Sequence, residues 1–333
     1  MDLIPEGYTS KLDVKDTEKA IELLRDYFQD KFAKKLNLHR VSAPLFVKAD
    51  SGLNDGLSGT EKAVSFDITS IPNSYCEIVH SLAKWKRMAL GKYGYKVGEG
   101  IYTNMNAIRR QEAVLDNMHS VYVDQWDWEK IILAENRNFD FLKDVVRNIY
   151  SVILDTAKYI QTVFPQIKNN LVDEIQFITS EELLKLYPDK TTKERENIIT
   201  KQYGAVFIMQ IGEKLSNGEP HDLRAPDYDD WALNGDIMVW YPELNRAIEL
   251  SSMGIRVDAK SLEYQLKAKG LKVSSDYHKN VINSTYPLTI GGGIGQSRLC
   301  QLLLHKAHIG EVQSSIWHEE TIAECEKKGV VLL

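Results

Sequence analysis

Residues 289–300 read Thr-Ile-Gly-Gly-Gly-Ile-Gly-Gln-Ser-Arg-Leu-Cys, a pattern that predicts an apolar strand, a glycine-rich turn and a helix. Glycines let a backbone turn tightly and approach a ligand without interference from a Cβ atom. The start of the following helix presents unpaired N–H groups and the positive end of its dipole, which suits a phosphate. Arg298 adds a planar cation that can stack on a purine ring or bind a phosphate oxygen.

This glycine run alone does not identify a nucleotide site. A turn whose arginine faces solvent fits the same residues, and the patterns of a Rossmann turn and a Walker loop are both missing. The preceding segments favour the nucleotide interpretation. A long amphipathic helix runs into Val41-Ser-Ala-Pro44, and Ala107-Ile-Arg-Arg-Gln-Glu112 follows. In this order the three segments resemble the three motifs of class II aminoacyl-tRNA synthetases.

Five longer segments carry a closer resemblance. They read Asn-Asp-Gly-Leu-Ser-Gly-Thr-Glu-Lys-Ala-Val at 54–64, Glu-Ile-Val-His-Ser-Leu-Ala-Lys-Trp-Lys-Arg at 77–87, Ser-Val-Tyr-Val-Asp-Gln-Trp-Asp-Trp at 120–128, Arg-Ala-Pro-Asp-Tyr-Asp-Asp-Trp at 224–231 and Glu-Leu-Ser-Ser-Met-Gly-Ile-Arg at 249–256. They resemble the ammonia-dependent asparagine synthetases, or aspartate–ammonia ligases, which are free-standing relatives of the aspartyl- and asparaginyl-tRNA synthetase catalytic domain. The resemblance covers essentially the whole chain.

The composition is ordinary for a soluble globular protein. Of 333 residues, 43% are hydrophobic and 26% are charged, and the formal net charge is −6. No apolar run reaches the ~18 residues that span a membrane, and the N-terminal residues lack a signal-peptide pattern. The negative charge argues against a nucleic-acid partner, because such proteins usually carry a basic face. We therefore expect a cytoplasmic protein with neither a membrane nor a nucleic-acid partner.

The cysteines and histidines do not form a metal-binding pattern. Cys76, Cys300 and Cys325 are scattered and include no Cys-x-x-Cys, so we expect reduced thiols and neither a disulfide nor a zinc site. His305 and His308 stand near a predicted helix end with no further ligand close by in the sequence, and we expect them on the surface.

Apolar spacing predicts two long helices. Apolar residues at intervals of three and four predict a first helix over 17–36, capped by Asp16 or Thr17 and ended by Asn37. A second helical stretch is predicted over 129–162. Shorter helices are expected after Thr179 and Thr191, each of which is followed three residues later by a glutamate in a capping box.

The remaining pattern predicts many short strands in a single domain over residues 1–333, because no repeat, low-complexity tract or linker divides the chain. Strands are expected around 40–47, 64–70, 76–80, 100–105, 118–124, 174–178, 204–211, 236–240 and 247–252. Their short connections predict an antiparallel sheet flanked by helices, an α+β domain. This agrees with the class II synthetase fold that the resemblance implies.

The resemblance implies a ligase that uses ATP to join ammonia to L-aspartate. The β-carboxylate would attack the α-phosphate to give β-aspartyl-AMP and pyrophosphate, and ammonia would then release L-asparagine and AMP. We expect free ammonia as the donor, because a glutaminase nucleophile such as an N-terminal cysteine is missing from the sequence. Two alternatives stay open: an aspartyl- or asparaginyl-tRNA synthetase-like enzyme, and a non-catalytic regulatory paralogue.

Such a transfer requires positive charge on the phosphates and usually Mg²⁺. The resemblance assigns ATP binding to Arg109, Glu112, Ser120, Asp236, Glu249, Ser251, Gly293 and Arg298. Arg109 would bind the α-phosphate, since asparagine synthetases space this arginine as Arg-x-x-Glu, whereas the Arg-x-Glu spacing of the tRNA synthetases selects Arg110. Asp236 and Glu249 lie on adjacent predicted strands, where two carboxylates can share a hard cation such as Mg²⁺.

The resemblance also indicates how aspartate and ammonia are held. It assigns aspartate binding to Ser81, Lys86, Gln125, Asp127, Ser252 and Arg256. Gln125 and Asp127 are alternate residues of one strand and would point to the same side. The candidate catalytic residues are Asp55, Arg109, Gln125 and Asp229. The Asp55 carboxylate can hold ammonium and accept a proton as ammonia attacks, and Asp229 is the next candidate for that role.

Two segments predict motion and assembly. Residues 221–231 are too polar and acidic for a core element, so we expect a lid over the site within 212–232, with a plain surface loop as the alternative. The first helix and the Val41–Pro44 strand resemble the first class II motif, which forms a two-fold interface. A homodimer is therefore expected.

Overall fold

A computed structural model of the chain describes residues 3–57, 61–111 and 114–333. Glu112, one of the residues that we assign to ATP binding, lies outside these ranges. Over the described part of the chain, no helix combines the length and apolar character needed to cross a membrane.

Helices and strands are mixed along the described part of the chain. The helices are α1 Val14–Leu36, α2 Ala83–Lys92, α3 Phe139–Val163, α4 Ser180–Leu186, α5 Thr192–Tyr203, α6 Ala259–Ala268, α7 Asp276–Ile282, α8 Gln296–Leu303 and α9 Glu319–Lys327. The strands are β1 Leu38–Arg40, β2 Phe46–Lys48, β3 Ser65–Asp67, β4 Tyr75–Ile78, β5 Gly100–Ile108, β6 Tyr122–Ile131, β7 Gln176–Thr179, β8 Ala205–Met209, β9 Asp229–Tyr241, β10 Arg246–Arg256 and β11 Thr289–Gly295.

Eight strands form one large sheet in the order β1-β5-β6-β11-β10-β9-β8-β7. From β5 to β8 every neighbouring pair is antiparallel, as the sequence predicts. The outer pairs β1–β5 and β7–β8 are parallel, which makes the sheet mixed. Strands β7 and β8 can be parallel because α4 and α5 supply the long crossover that such a pair requires. The α+β fold is confirmed.

Helix α1 covers one face of the sheet through the apolar stripe that the sequence predicts. The ring centroids of Phe28 and Trp126 of β6 lie 4.4 Å apart with the rings tilted by 36°, and those of Phe32 and Trp128 lie 6.0 Å apart in an edge-on arrangement. Asn37 ends the helix in a left-handed conformation, as predicted. The predicted N-cap is wrong: the helix begins three residues earlier, where the Asp13 carboxylate accepts a hydrogen bond from the N–H of residue 16.

The second helical stretch begins later than predicted. Residues 129–131 continue strand β6, and the Asn138 side chain caps α3 by accepting from the N–H of Phe141. The period-two pattern of the tryptophans on β6 thus extends into the range predicted as helix. The capping boxes are confirmed, since the Thr179 and Thr191 side chains each accept from the N–H three residues later and each glutamate returns the bond.

The glycine-rich stretch corrects a prediction. Gly291, Gly292 and Gly293 form part of β11 and none of them has a positive φ, so they build an extended strand and not a tight turn. Neighbouring atoms lie so close to these three residues that they leave no room for a larger side chain. A Cβ atom at residue 292 would overlap the Met253 side chain and lie 2.7 Å from the carbonyl oxygen of Ser252. The glycines thus allow β10 and β11 to pair beneath packed side chains.

A substitution tests this interpretation. We expect Gly292→Ala to destabilise the protein by about 1–3 kcal/mol, because backbone atoms of β10 cannot move aside cheaply. Gly295→Ala is the control in the same strand, since its added Cβ would meet the Arg298 side chain at no less than 3.3 Å and its φ of −64° suits any residue. Urea unfolding of both variants measures the difference; equal losses would contradict the packing argument.

Two further sequence expectations are wrong about burial. Residues 229–232 belong to β9 and not to a lid, and Asp229 and Asp230 are buried because arginines pair with them. His305 and His308 are also buried. The ring of His305 contacts Glu243, and burial lowers the pKa of His308 to about 4. A polar residue can enter a protein interior when a partner satisfies it.

Candidate active site

A cavity of about 550 Å³ opens on the face of the sheet opposite α1. Strands β6, β10 and β11 form its floor, and the start of α8 and the β8–β9 connection (residues 210–228) form part of its walls. Thirteen of the residues proposed from the sequence line it. They are Asp55, Ser81, Arg109, Ser120, Gln125, Asp127, Asp229, Glu249, Ser251, Ser252, Arg256, Gly293 and Arg298.

Two proposed residues lie just behind the wall of the cavity. The Lys86 ammonium is buried and pairs with Asp127, and it also donates to the Trp128 carbonyl oxygen at 2.9 Å. Burial lowers the pKa of Lys86 although Asp127 and Glu129 raise it. Asp236 lies beneath Arg224, which does line the cavity. Both residues therefore act on the cavity through a neighbour in this conformation.

Strand β6 shows why alternate residues share a role. Trp126 and Trp128 point into the core beneath α1, so Gln125 and Asp127 point to the other face and line the cavity, as predicted. The Asp127 carboxylate accepts from the Leu82 N–H at 3.0 Å, which joins β6 to the start of α2. The next residue in this alternation, Glu129, is buried completely.

Glu129 holds the cations at the base of the cavity. Its carboxylate accepts from Arg256 Nε at 2.9 Å and Nη2 at 2.7 Å and lies 3.8 Å from the Lys86 ammonium. Burial alone would raise the pKa of Glu129, but Arg256 and Lys86 hold it below its ordinary value. Arg256 also pairs with Asp229. Burial and the Glu129 charge raise the pKa of Asp229. The Arg256 charge lowers this pKa but does not bring it back to its ordinary value.

Asp55 lies at the same end of the cavity. Its carboxylate accepts from the Ser81 hydroxyl at 2.9 Å and from the Leu57 N–H at 2.8 Å, and the side chain is almost completely buried. Tyr228, the last residue of the β8–β9 connection, lines the cavity together with Asp55. Burial first, and then the charges of Asp55 and Asp229, raise the pKa of the Tyr228 phenol well above its ordinary value. The charges of two carboxylates thus act on one half-buried tyrosine.

The other end of the cavity is rich in cations. Arg298 Nη1 donates to the Glu249 carbonyl oxygen at 3.1 Å and lies 3.8 Å from its carboxylate. Burial raises the pKa of Glu249, but Arg298, Arg224, Lys193 and Arg109 together hold it below its ordinary value. Cations from the end of β5, from α5, from the β8–β9 connection and from α8 therefore converge on one carboxylate.

Polar atoms without partners lie beside these cations. Asp236 Oδ1, Ser251 Oγ and Arg109 Nε are buried and have no hydrogen-bond partner among the described residues. Burial raises the pKa of Asp236 to about 7, with Arg224 lowering it and Glu249 and Asp222 raising it further. Such unpartnered groups indicate a ligand, because buried polar atoms are normally satisfied.

The β8–β9 connection is fastened at several points. His221 lies 3.2 Å from Glu196 of α5, and Arg224 pairs with both Asp222 and Asp236. Near its far end, Asp227 lies 2.9 Å from the Lys84 ammonium and 3.1 Å from His278. This segment thus closes one side of the cavity through charged side chains and not through an apolar core.

Several residues of the site were not assigned from the sequence. Glu129 could have been found, because it continues the Gln125, Asp127 alternation on β6. Arg224 stands in one of the five segments quoted above, yet a single arginine in a polar segment does not reveal its partner. Tyr228 stands in the same segment, and its role likewise depends on partners that the segment does not reveal. Lys193 carries no local signal, since the tertiary fold alone brings it to the cavity.

Comparison with known proteins shows the family to which the chain is similar. Residues 15–329 match the family described as aspartate-ammonia ligase. The chain is 55% identical over 333 residues to the aspartate–ammonia ligase of Levilactobacillus brevis, covering 99% of each chain. It is 57% identical over 319 residues to that of Lactiplantibacillus plantarum, covering 95% of this chain and 99% of the relative.

The fold is similar to that of a tRNA synthetase. The structure of Entamoeba histolytica asparaginyl-tRNA synthetase in complex with asparaginyl-adenylate superposes with a TM-score of 0.63 at 15% identity. The match covers 90% of this chain and 66% of that synthetase, so the chain spans about two thirds of the length of this neighbour. At this identity the likeness shows the fold alone.

Proposed function

This chain belongs to the aspartate–ammonia ligase family, whose members make asparagine from aspartate and ammonia, and we propose that it does so by adenylating the β-carboxylate of L-aspartate. The products of the complete reaction are L-asparagine, AMP and pyrophosphate. One observation carries the proposal: a single cavity is lined by four cations that act on Glu249 and by a second charged cluster of Arg256, Asp229 and Asp127.

The fold supports the adenylate route. The asparaginyl-tRNA synthetase with the same fold holds an asparaginyl-adenylate, in which an amino-acid carboxylate is joined to AMP. We infer that this chain binds ATP in a similar cavity, with Arg298 on the adenine ring and Arg109 on the α-phosphate. The Arg109 charge lowers the pKa of Glu249, and the Arg109 side chain is half-buried, whereas Arg110 is exposed. These differences favour Arg109 for this role.

A divalent cation fits beside Glu249. Asp236 Oδ1 is unpartnered among the described residues, and oxygen ligands of this type suit Mg²⁺. No group of three metal-ligating side chains occurs in the part of the chain that the structure describes. This agrees with a Mg²⁺ ion held by one or two carboxylates and by the phosphates of ATP. When bound, Mg²⁺ would neutralise part of the phosphate charge. Ser120, Ser251 and Gly293, which line the same cavity, would contact the nucleotide.

At the other end, Arg256 binds the substrate carboxylate and Asp127 accepts from its ammonium group. Glu129 and Asp229 engage all three nitrogen atoms of the Arg256 guanidinium, so the substrate carboxylate would bind through the second N–H of Nη1 or Nη2. Lys86 places the Asp127 carboxylate, and Ser81, Gln125 and Ser252 complete the aspartate site. Gln125, which lines the same cavity, would orient the β-carboxylate toward the α-phosphate.

For the second step, Asp55 holds ammonium and accepts a proton as the neutral amine attacks the adenylate. Besides burial, its carboxylate and that of Asp229 both raise the pKa of the Tyr228 phenol, which lines the same cavity. Closure of the β8–β9 connection would keep water from hydrolysing the adenylate. We place the enzyme in the cytoplasm as a homodimer without a nucleic-acid partner, in keeping with a net charge of −6.

Product analysis tests the adenylate route. Incubation of the purified protein with ATP, Mg²⁺, L-aspartate and ammonium should give AMP and pyrophosphate in equal amounts with asparagine. Formation of ADP and phosphate would indicate a β-aspartyl phosphate and contradict the proposal. A requirement for tRNA would favour the synthetase-like alternative, and an absence of turnover with intact ligand binding would favour the regulatory paralogue.

Light scattering tests the homodimer. We expect a mass close to twice the 38.0 kDa of one chain at micromolar concentration. The predicted strand at residues 41–44 is wrong, because these residues form an irregular connection between β1 and β2. The dimer expectation is still supported by exposed apolar side chains beside this first-motif segment, where Leu45 is 51% and Phe46 40% exposed. A Leu45→Asp variant should shift the mass toward one chain, while Leu186→Asp, which changes an exposed leucine on α4, should not. A single-chain mass for the unmodified protein would contradict the dimer.

A further inference from the structure

Arg224 is paired with Asp236, one of the two carboxylates proposed to bind the divalent cation. Its guanidinium forms an ion pair with Asp236 and lies 2.9 Å from Asp222. The other Asp236 oxygen, Oδ1, is buried and has no hydrogen-bond partner in the described ranges. Arg224 is thus the cation that neutralises Asp236 in the conformation described here, and half of that carboxylate is still unsatisfied.

A guanidinium and a divalent cation cannot share Asp236 at low cost. Both would lie within a few ångströms of each other in a buried site, where like charges repel more strongly than in water. Glu249 and Asp222 add negative charge, but Arg109, Arg298 and Lys193 already face Glu249. Binding of a divalent cation at Asp236 would therefore displace Arg224.

The cavity offers Arg224 a new partner. The residue lines the cavity from the β8–β9 connection, next to the cation-rich end where we place the phosphates of ATP. Arginine binds phosphate through two parallel hydrogen bonds, a stronger arrangement than lysine can make. Residues 221–224 lie outside the helices and strands, so the side chain can turn toward the phosphates without breaking a β-sheet hydrogen bond.

We propose that Arg224 exchanges partners during ATP binding: it holds Asp236 in the nucleotide-free protein and moves to the phosphates when a divalent cation binds at Asp236 and Glu249. The inference rests on the proposed ATP and divalent-cation sites. It makes Arg224 a nucleotide-binding residue that also keeps the carboxylates paired while the cation is away. It further requires that Arg224 oppose cation binding and favour nucleotide binding.

Opposite effects on two ligands test this exchange. Binding of Mn²⁺ without nucleotide is followed by electron paramagnetic resonance, and binding of ATP with Mg²⁺ but without aspartate by calorimetry. For Arg224→Gln we expect Mn²⁺ to bind roughly tenfold more tightly, because its competitor is gone, and ATP to bind roughly 10- to 100-fold more weakly, because a charged hydrogen bond is lost. Lys214→Gln, an exposed change in the same connection, should alter neither.

Arg224→Lys keeps the test decisive if the glutamine variant does not fold. Lysine retains the charge on Asp236 but lacks the paired donors, so Mn²⁺ should bind as in the unmodified protein and ATP several-fold more weakly. Unchanged or weaker Mn²⁺ binding in a folded Arg224→Gln protein, or unchanged ATP binding in either variant, would overturn the exchange. These readouts do not involve turnover, so they stand apart from the product analysis that tests the proposed function.

Discussion

Asp55→Asn is expected to lower the rate of asparagine formation by roughly 10²–10⁴, the usual contribution of a general base, while adenylation continues. The amide keeps the shape of the side chain and can still accept from the Leu57 N–H, and the Ser81 hydroxyl can rotate to accept from it. The negative charge that holds ammonium and the basic oxygen that takes its proton are lost. Aminolysis should therefore fail before adenylation does.

The two half-reactions can be measured separately. Aspartate-dependent exchange of labelled pyrophosphate into ATP reports adenylation alone, and it should survive in Asp55→Asn. Arg109→Ala should abolish both exchange and synthesis, because the α-phosphate loses its cation. Asp67→Asn, on the exposed strand β3, is the control. Loss of exchange as complete as the loss of synthesis in Asp55→Asn would assign Asp55 to substrate binding, and Asp229 would become the candidate for the ammonia step.

Glu129→Gln is expected to destabilise the protein by about 3–5 kcal/mol, the usual cost of removing one partner from a buried ion pair. Arg256 would keep only Asp229 as a charged partner, and Lys86 only Asp127. The guanidinium would no longer be held by two parallel bonds, so we also expect the KM for aspartate to rise more than that for ATP. Equilibrium unfolding in urea and steady-state kinetics measure the two effects.

The stability effect should depend on pH in one direction. The folded protein holds the pKa of Glu129 below its ordinary value of 4.5, so the stabilising contribution is complete above that pH and is lost as the pH falls through the lower, folded value. The difference between Glu129→Gln and the unmodified protein should therefore shrink in acid. Glu135→Gln, an exposed change six residues later in the connection between β6 and α3, should stay within about 0.5 kcal/mol. A loss of that small size in Glu129→Gln would contradict the role of the pair.

Local patterns in the sequence predicted much of the fold. The apolar stripe of α1, its end at Asn37 and the capping boxes at Thr179 and Thr191 are confirmed, because each depends on residues within one or two helical turns. The boundary of α3 was less accurate. Strand β6 runs into the predicted helix because its ends are set by pairing with β5 and β11, which the local sequence does not record.

For the candidate site, the sequence predicted the members better than their contacts. Ordered motifs brought together thirteen residues that line one cavity, although their roles stay proposals. The residues that hold these side chains in place were mostly missed. Lys193 lies on a helix far from the motifs in the chain, and the importance of Glu129 depends on Arg256, which is 127 positions away. Contacts at such separations follow from the folded arrangement of strands.

The sequence by itself determined the kinds of chemistry available: its ordered motifs indicated a class II fold and an aspartate–ammonia ligase, and its charged residues indicated phosphate and carboxylate ligands. Only the tertiary structure decided which charges are buried and which groups neutralise them. In the structure, Asp229 is part of β9 and pairs with Arg256, residues 291–293 form an extended strand, and Arg224 pairs with Asp236. The physical reason is that the free energy of a buried charge depends on its partners, and those partners come from distant parts of the chain.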